Sequence, residues 1–301
     1  MRPCAGLRAD GAFRQSLAVT EWRIDARSGL TPAQYRDVVR LQTECETSEG
    51  LDLKLELARA NASSSPDTFL AFSAAQLVGY CGIKEGHEAE VCGMVDPAER
   101  RRGIGTSLLE RALEAVAGGD KTSVLVICED ASPVALEWMR RRGATQDQSE
   151  LRMVLKLEGS PSSPVGATPR LKRATGGDRA ELVRLLSDGF PEAEAFIQKR
   201  LAKQHAEEET LMTYEGETLV GTTRLETTAR RTMIYGFVID RALRGQGHGG
   251  SMMQAILGRL RDQGVTEVGL EVEPENMAAV RLYRRCGFRV VTTYRYMRLA
   301  L

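Results

Sequence analysis

Hydrophobic and polar positions along the chain form the same series of patterns twice. Leu108, Leu109, Ala112, Leu113 and Val116 make the apolar stripe of an amphipathic helix, and Met252, Met253, Ile256, Leu257 and Leu260 repeat it position for position. SVLVICED (123–130) and EVGLEVEP (267–274) read as short strands rich in β-branched residues. The segments FLAFSAAQLVGYCGI and ETLMTYEGETLVGTTRLE, each broken by a small polar turn, read as hairpins. Each half is therefore expected to run strand, helix, hairpin, a strand ending at Asp96 or Asp240, glycine turn, helix, strand, helix, strand. This predicts an α/β (mixed α+β) protein of two tandem domains, each a small, mostly antiparallel central sheet flanked by helices.

The two series are in fixed register. DPAERRRGIG from Asp96 and DRALRGQGHG from Asp240 share five of ten residues without a gap: Asp96/Asp240, Ala98/Ala242, Arg100/Arg244, Gly103/Gly247 and Gly105/Gly249, an offset of 240 − 96 = 144. The same offset places Val39-Arg40-Leu41 on Val183-Arg184-Leu185 and Gly143 on Gly287. The chain reads as a tandem duplication. GSPSSPVGATP, residues 159–169, has the Pro, Ser and Gly content of a linker. The expected organisation is a loose tail (1–17), an N-terminal domain (18–158), that linker, and a C-terminal domain (170–301).

Bulk composition narrows the partners. Lys plus Arg and Asp plus Glu both total 41, so no net field favours nucleic acid or an anionic membrane surface. No apolar run approaches the roughly 20 residues of a membrane helix, and the first seventeen residues lack the apolar core of a signal peptide. Cys4, Cys45, Cys81, Cys92, Cys128 and Cys286 form no C-x-x-C pair and no metal-ligand spacing with His87, His205 and His248. They read as reduced, mostly buried thiols of a cytoplasmic protein, with no metal expected.

Arg244 to Gly250, RGQGHGG, contains the G-x-G-x-x-G spacing of a dinucleotide loop. The repeat argues against that reading. In the first copy Arg101 and Thr106 replace Gly245 and Gly250, so what survives is R-x-x-G-x-G. A polar connector also separates strand from glycines, and only about fifty residues follow, too few for a dinucleotide fold. Glycines at the mouth of a helix still let an anion approach its unpaired N–H groups. This R-x-x-G-x-G turn, followed by a strand and then Asn276, Ala279, Tyr283, Gly287 and Phe288 in N-x-x-A-x-x-x-Y-x-x-x-G-F, resembles the GNAT superfamily of N-acyltransferases. One degenerate and one active domain in tandem is an arrangement similar to that of the mycothiol synthase family, and it carries no substrate with it.

The resemblance implies that Val238, Ile239 and the backbone through Arg244, Gly245, Gln246, Gly247, His248 and Gly249 hold acetyl-CoA, with Arg244 near the pyrophosphate. It implies that Asn276 bonds the pantetheine arm, a role compatible with capping the helix that begins near Met277. Tyr283 stands where such enzymes often carry the acid for the departing thiolate. A base is also needed to deprotonate an amine. Glu271 is the candidate, because strand alternation puts it with Glu267 and Glu273 opposite Val268, Leu270 and Val272, and Ile127 stands at its place in the first half. A salt-bridged strand carboxylate is the competing reading of Glu271. Glu90 is the weaker first-half candidate, and amides around Gly236 to Val238 are candidates for an oxyanion site.

The first half keeps Arg100, Gly103 and Gly105, a candidate second coenzyme site, but carries Ser132, Met139 and Ala144 where the second has Asn276, Tyr283 and Phe288. It is expected to be non-catalytic. The acceptor is expected to be a small-molecule amine or a peptide amine. Phe190, Phe196, Glu192, Glu194, Glu207, Glu208 and Glu209 are candidates for its wall, acids that would suit a cationic amine. The alternative is an acetyl-CoA-binding regulatory protein without turnover, which would have no need of Tyr283.

Overall fold

The computed structural model describes residues 22–55, 57, 66–86, 88–157, 169–189, 208–228 and 230–301. The N-terminal tail, linker residues 159–168, Cys4, His87, His205, Phe190, Glu192, Glu194, Phe196 and Glu207 lie outside them. The first half consists of β1 (Trp22–Arg27), α1 (Pro32–Glu49), β2 (Thr68–Ser73), β3 (Gln76–Lys84), β4 (Ala89–Val95), α2 (Ile104–Ala117), β5 (Ser123–Glu129), α3 (Pro133–Arg140) and β6 (Thr145–Lys156). The second consists of β7 (Arg170–Arg173), α4 (Arg179–Gly189), β8 (Glu208–Glu215), β9 (Thr218–Thr228), β10 (Arg231–Ile239), α5 (His248–Asp262), β11 (Glu267–Val272), α6 (Met277–Arg285) and β12 (Arg289–Ala300).

Local chemistry sets the boundaries. Thr31 and Gln34 form a capping box at α1, Pro32 follows the cap, and Gly50 at φ +68° ends the helix. The stripes read from sequence are the buried faces: Leu108, Leu109 and Ala112 in α2, and Met252, Met253, Ile256, Leu257 and Leu260 in α5. Cys45, Cys81, Cys92 and Cys128 are buried free thiols, and burial pushes Cys45 up to about 11. Among the described residues no helix is long and apolar enough to cross a membrane, and no group of three His, Cys, Asp or Glu could hold a metal ion.

The expectation of two separate small sheets is corrected. Among the described residues, all twelve strands form one sheet, in the order β1-β2-β3-β4-β5-β12-β6-β11-β10-β9-β8-β7. The last strand of each half crosses over. β12 pairs with β5 of the first half and β6 pairs with β11 of the second, while β6 and β12 pair with each other. The offset of 144 relates all of these pairings but one, Tyr294 with Glu129, to a counterpart. Ser123 opposite Ala300 becomes Glu267 opposite Lys156, and Thr145 opposite Arg298 becomes Arg289 opposite Val154. This is the isologous contact of a two-fold axis, built within one chain, and the axis passes through the facing pair Glu150 and Tyr294.

The exchange reaches into the cores. Met297 and Leu299 of β12 pack in the first half with α2 and β5, and Met153 and Leu155 of β6 pack in the second with α5 and β11. At about 1.5–3 kcal/mol for each side chain fully buried, either exchange supplies a sizeable share of a domain's net stability. The physical reason for the departure from expectation is that alternation fixes which face a strand buries, not which copy of a repeat it joins.

Candidate functional site

The two glycine turns are built alike. Asp96 and Asp240 each accept a hydrogen bond from a backbone N–H two residues on, from Ala98 at 2.9 Å and from Ala242 at 3.0 Å. Arg100 and Arg244 each donate through Nε to the carbonyl that ends the preceding strand, Val95 or Ile239, both at 3.0 Å. Gly103 and Gly247 occupy the N-cap positions in left-handed conformation, φ +87° and +96°, and neither helix start has a side-chain cap. The first N–H groups of α2 and α5 are thus left for an anion, which is the fit a coenzyme pyrophosphate requires. Gly249 lets α5 approach α6, because a Cβ there would sit 3.2 Å from Leu282.

Arg101 retains the left-handed backbone of its counterpart: φ is +64° at Arg101 and +79° at Gly245. A residue with a Cβ is strained there by roughly 1–2 kcal/mol, partly offset by the lower unfolded-state entropy of a non-glycine residue. Arg101→Gly is therefore expected to raise stability by up to about 1 kcal/mol, measured as the urea midpoint at unchanged m-value. A loss of stability would mean that the Arg101 side chain contributes more than its backbone costs.

Downstream of the turn the halves diverge. In both, the strand before the turn runs parallel to the strand after the helix for only a few residues: Ala89–Val91 against Val124–Val126, and Arg231–Ile234 against Glu267–Leu270. Past these pairs the strands part, opening a wedge. β4 pairs with β3 without interruption, whereas β10 shifts register against β9 between Tyr235 and Val238, with Gly236 at φ +53°. This bulge lies where the sequence placed the oxyanion amides and where β10 leaves β11. Val238 and Ile239 resume pairing with Thr222 and Gly221, and a Cβ at Gly221 would collide with the Val238 carbonyl.

α6 closes one face of the wedge. Asn276 caps it, its Oδ1 accepting from the Ala279 N–H at 3.1 Å, so the other end of the amide keeps its donor function. Tyr283 is buried, edge-on to Phe237 of the bulge with ring centroids 6.0 Å apart, and 6.0 Å from Phe288. Burial, with a smaller contribution from Cys286, pushes its hydroxyl up to about 12. At the corresponding places the first half has buried Met139 and Ala144, and Ser132 makes no capping bond.

Glu271 lies on the opposite face of β11 from the buried Val268, Leu270 and Val272, as alternation predicts. It is salt-bridged: Lys54 of the first half donates to it at 2.7 Å. Burial raises its carboxyl above the usual range, Lys54 opposes this and Glu150 reinforces it. Glu267 pairs with Lys156 and Arg231, and Glu90 with Lys84 at 3.1 Å. Glu273 falls just past the end of β11.

Several predicted contacts already have partners within the chain. His248 Nδ1 is 3.0 Å from Glu215, and Gln246 donates to the Ala242 carbonyl at 2.9 Å. The Arg100 guanidinium is held in two bonds by Glu49, at 2.7 and 2.8 Å. Glu208 and Glu209, candidates for the acceptor wall, are bound by Arg224 and Arg259, each at 2.8 Å. Sequence reasoning missed Lys54, which bonds Glu271, and Glu150 and Tyr296, which bond Lys54, from three other segments; no local pattern marks them.

Comparison with known proteins agrees with this geometry. The model of the Acetyltransferase (GNAT) family matches residues 35–144 and again 179–288, two spans displaced by the repeat offset. Mycothiol acetyltransferase of Brachybacterium faecium is 31% identical over 71% of this chain and 68% of its own length. That of Sanguibacter keddieii is 29% identical over 88% of this chain and 93% of its own. Among solved structures, a GCN5-related N-acetyltransferase from Sphaerobacter thermophilus superposes with a TM-score of 0.72 at 21% identity, covering 92% of this chain and 95% of that one. A tandem GNAT protein from the clavulanic acid biosynthesis pathway gives 0.69 at 16%, covering 93% and 98%. Two uncapped glycine turns, two wedges of parting strands and two family matches 144 residues apart have one explanation: the chain belongs to the GNAT family, as an acyl-CoA-dependent acetyltransferase with tandem GNAT domains.

Proposed function

We propose that acetyl transfer takes place in the second half, from acetyl-CoA to a primary amine of a small-molecule acceptor by direct attack. One observation carries the reading: the wedge between β10 and β11 has Tyr283 on one face and Glu271 on the other, whereas the first half has Met139 and Ile127 at those positions. Neither methionine nor isoleucine can move a proton.

In this reading the N–H groups at the start of α5 and Arg244 hold the pyrophosphate, and Asn276 donates to the pantetheine arm. The β10 bulge offers amides to the developing oxyanion. Glu271 takes the proton from the acceptor ammonium, so that the free amine attacks the thioester carbon. Tyr283, on the other face, donates a hydrogen bond to the sulfur that leaves. The first half is a scaffold, since Glu49 already neutralises the arginine that would face a phosphate there. The names of the relatives point to a small-molecule acceptor of the mycothiol kind rather than a protein amine.

Calorimetric titration of the whole chain with acetyl-CoA tests the site assignment, and thiol release with S-methylcysteine methyl ester, glucosamine and spermidine tests transfer. The expected stoichiometry is one acetyl-CoA per chain, lost in Arg244→Glu and kept in Arg100→Glu. Two per chain would make the first half a coenzyme site as well. No binding would end the proposal.

A further inference from the structure

A carboxylate serves as a base only while it is ionised and aimed. Glu271 is the first residue of β11 past the last parallel pair, Ile234 with Leu270, so it stands where the wedge opens. What meets it there comes from the other half of the protein. Lys54, in the segment that follows α1, reaches Glu271 Oε2 at 2.7 Å, Glu150 Oε2 of β6 at 2.8 Å and the Tyr296 hydroxyl of β12 at 2.6 Å. These three bonds use all three donors of the ammonium. Tyr296 in turn donates to Glu150 at 2.5 Å. The Lys54 side chain is only 11% exposed, and a buried ammonium placed between two carboxylates is held in both charge and position.

We infer that Lys54 of the first half is a positioning residue for acetyl transfer in the second: it keeps the Glu271 carboxylate ionised and pointed at the wedge, so the transfer site is assembled from both halves. The inference rests on the proposed role of Glu271. Strand exchange makes the arrangement attainable, because it carries β6 and β12, with Glu150 and Tyr296, to the flank of β11.

The charged and titratable groups around Glu271 fix the sign of the test. Lys54 and Asp52 come from the segment after α1, Glu150 and Arg152 from β6, Tyr294 and Tyr296 from β12, and Tyr235 with Arg224 from β10 and β9. Lys54 and Arg152 favour the ionised carboxylate, and Glu150 opposes it. Removing Lys54 must therefore raise the pH at which Glu271 ionises, and removing the charge of Glu150 must lower it.

Full-length protein labelled with 13C at the glutamate δ-carbon reports this directly, with the Glu271 signal assigned by its loss in Glu271→Gln. Lys54→Met is expected to move the midpoint up, and Glu150→Gln down, each by about one pH unit or more. The acidic limb of kcat/KM with the best of the three amines should move with it. A merely structural lesion would lower the rate at every pH and leave the limb in place. If Lys54→Met does not fold, Glu150→Gln decides alone. Midpoints that stay put, or that move in the same direction in both variants, overturn the inference. If Glu271→Gln transfers at the wild-type rate while the midpoints shift as expected, the base assignment fails instead.

Discussion

Tyr283→Phe is expected to lower kcat for acetyl transfer roughly tenfold or more, with KM for acetyl-CoA changed less than about twofold. The size follows from the environment of the hydroxyl. Burial pushes Tyr283 up to about 12, against about 8.5 for a free thiol, so complete proton transfer to the thiolate is uphill by about 3.5 units, roughly 5 kcal/mol. Tyr283 is thus a strong candidate for donating a hydrogen bond to the leaving sulfur and a poor one for giving up its proton. A bond to a charged acceptor contributes about 1.5–3 kcal/mol, which is ten- to a hundredfold in rate. Because the thioester sulfur acquires charge only as the bond breaks, the loss falls on kcat. The sign of the pH dependence follows: activity that needs the protonated hydroxyl is lost as pH rises through about 12, so an alkaline limb below pH 10 belongs to another group and persists in Tyr283→Phe. An unchanged kcat in this variant would remove Tyr283 from the reaction.

A larger effect is expected when the halves are separated. Residues 1–158 and 159–301, expressed apart, are expected to yield no folded monomer of either, whereas co-expression yields a one-to-one complex that binds acetyl-CoA. Without β12 the first half loses the strand that covers β5, together with Met297 and Leu299 from its core. Without β6 the second half loses the partner of β11, together with Met153 and Leu155. Two core side chains at about 1.5–3 kcal/mol each, plus an unpaired central edge, approach the 5–15 kcal/mol by which a domain is stable. Size-exclusion chromatography with light scattering decides it: aggregate, or a dimer of one half with itself, is expected for each half alone. A folded monomeric half with its own thermal transition would show that the strand exchange is dispensable.

Much of this was legible in the sequence. The offset of 144 gave α2 and α5, β5 and β11, and both glycine turns, because helix and strand periods are local and were written twice. Asn276 as a helix cap and Glu271 on the face away from the core followed from the same local rules. The strand exchange did not follow. β6 presents the same alternation whether it joins its own half or the other, and nothing in its sequence distinguishes the two edges. Lys54 stayed hidden for a related reason: it lies 217 residues from Glu271, and only the exchanged strands bring the cluster together. The bulge at Gly236 left a faint trace in the glycine, but the first half has its own glycine one position on, Gly93, in an unbroken strand.

The axis through Glu150 and Tyr294 has a consequence for how the two copies were free to change. These residues are equivalents under the offset, and they face each other across β6 and β12. In an assembly of two identical chains, whatever stands at such a position meets itself: a glutamate would oppose a glutamate, and the repulsion of like charges would weigh against it. Covalent fusion lifts that restriction. Once the copies are written separately, a carboxylate can settle on one side of the axis and a phenol on the other, and an isoleucine can stand at residue 127 while its equivalent, residue 271, is glutamate. The polar cluster beside Glu271 is of a kind that a symmetric dimer could not have held in a single copy, and its asymmetry is the mark of a pair no longer obliged to change in step.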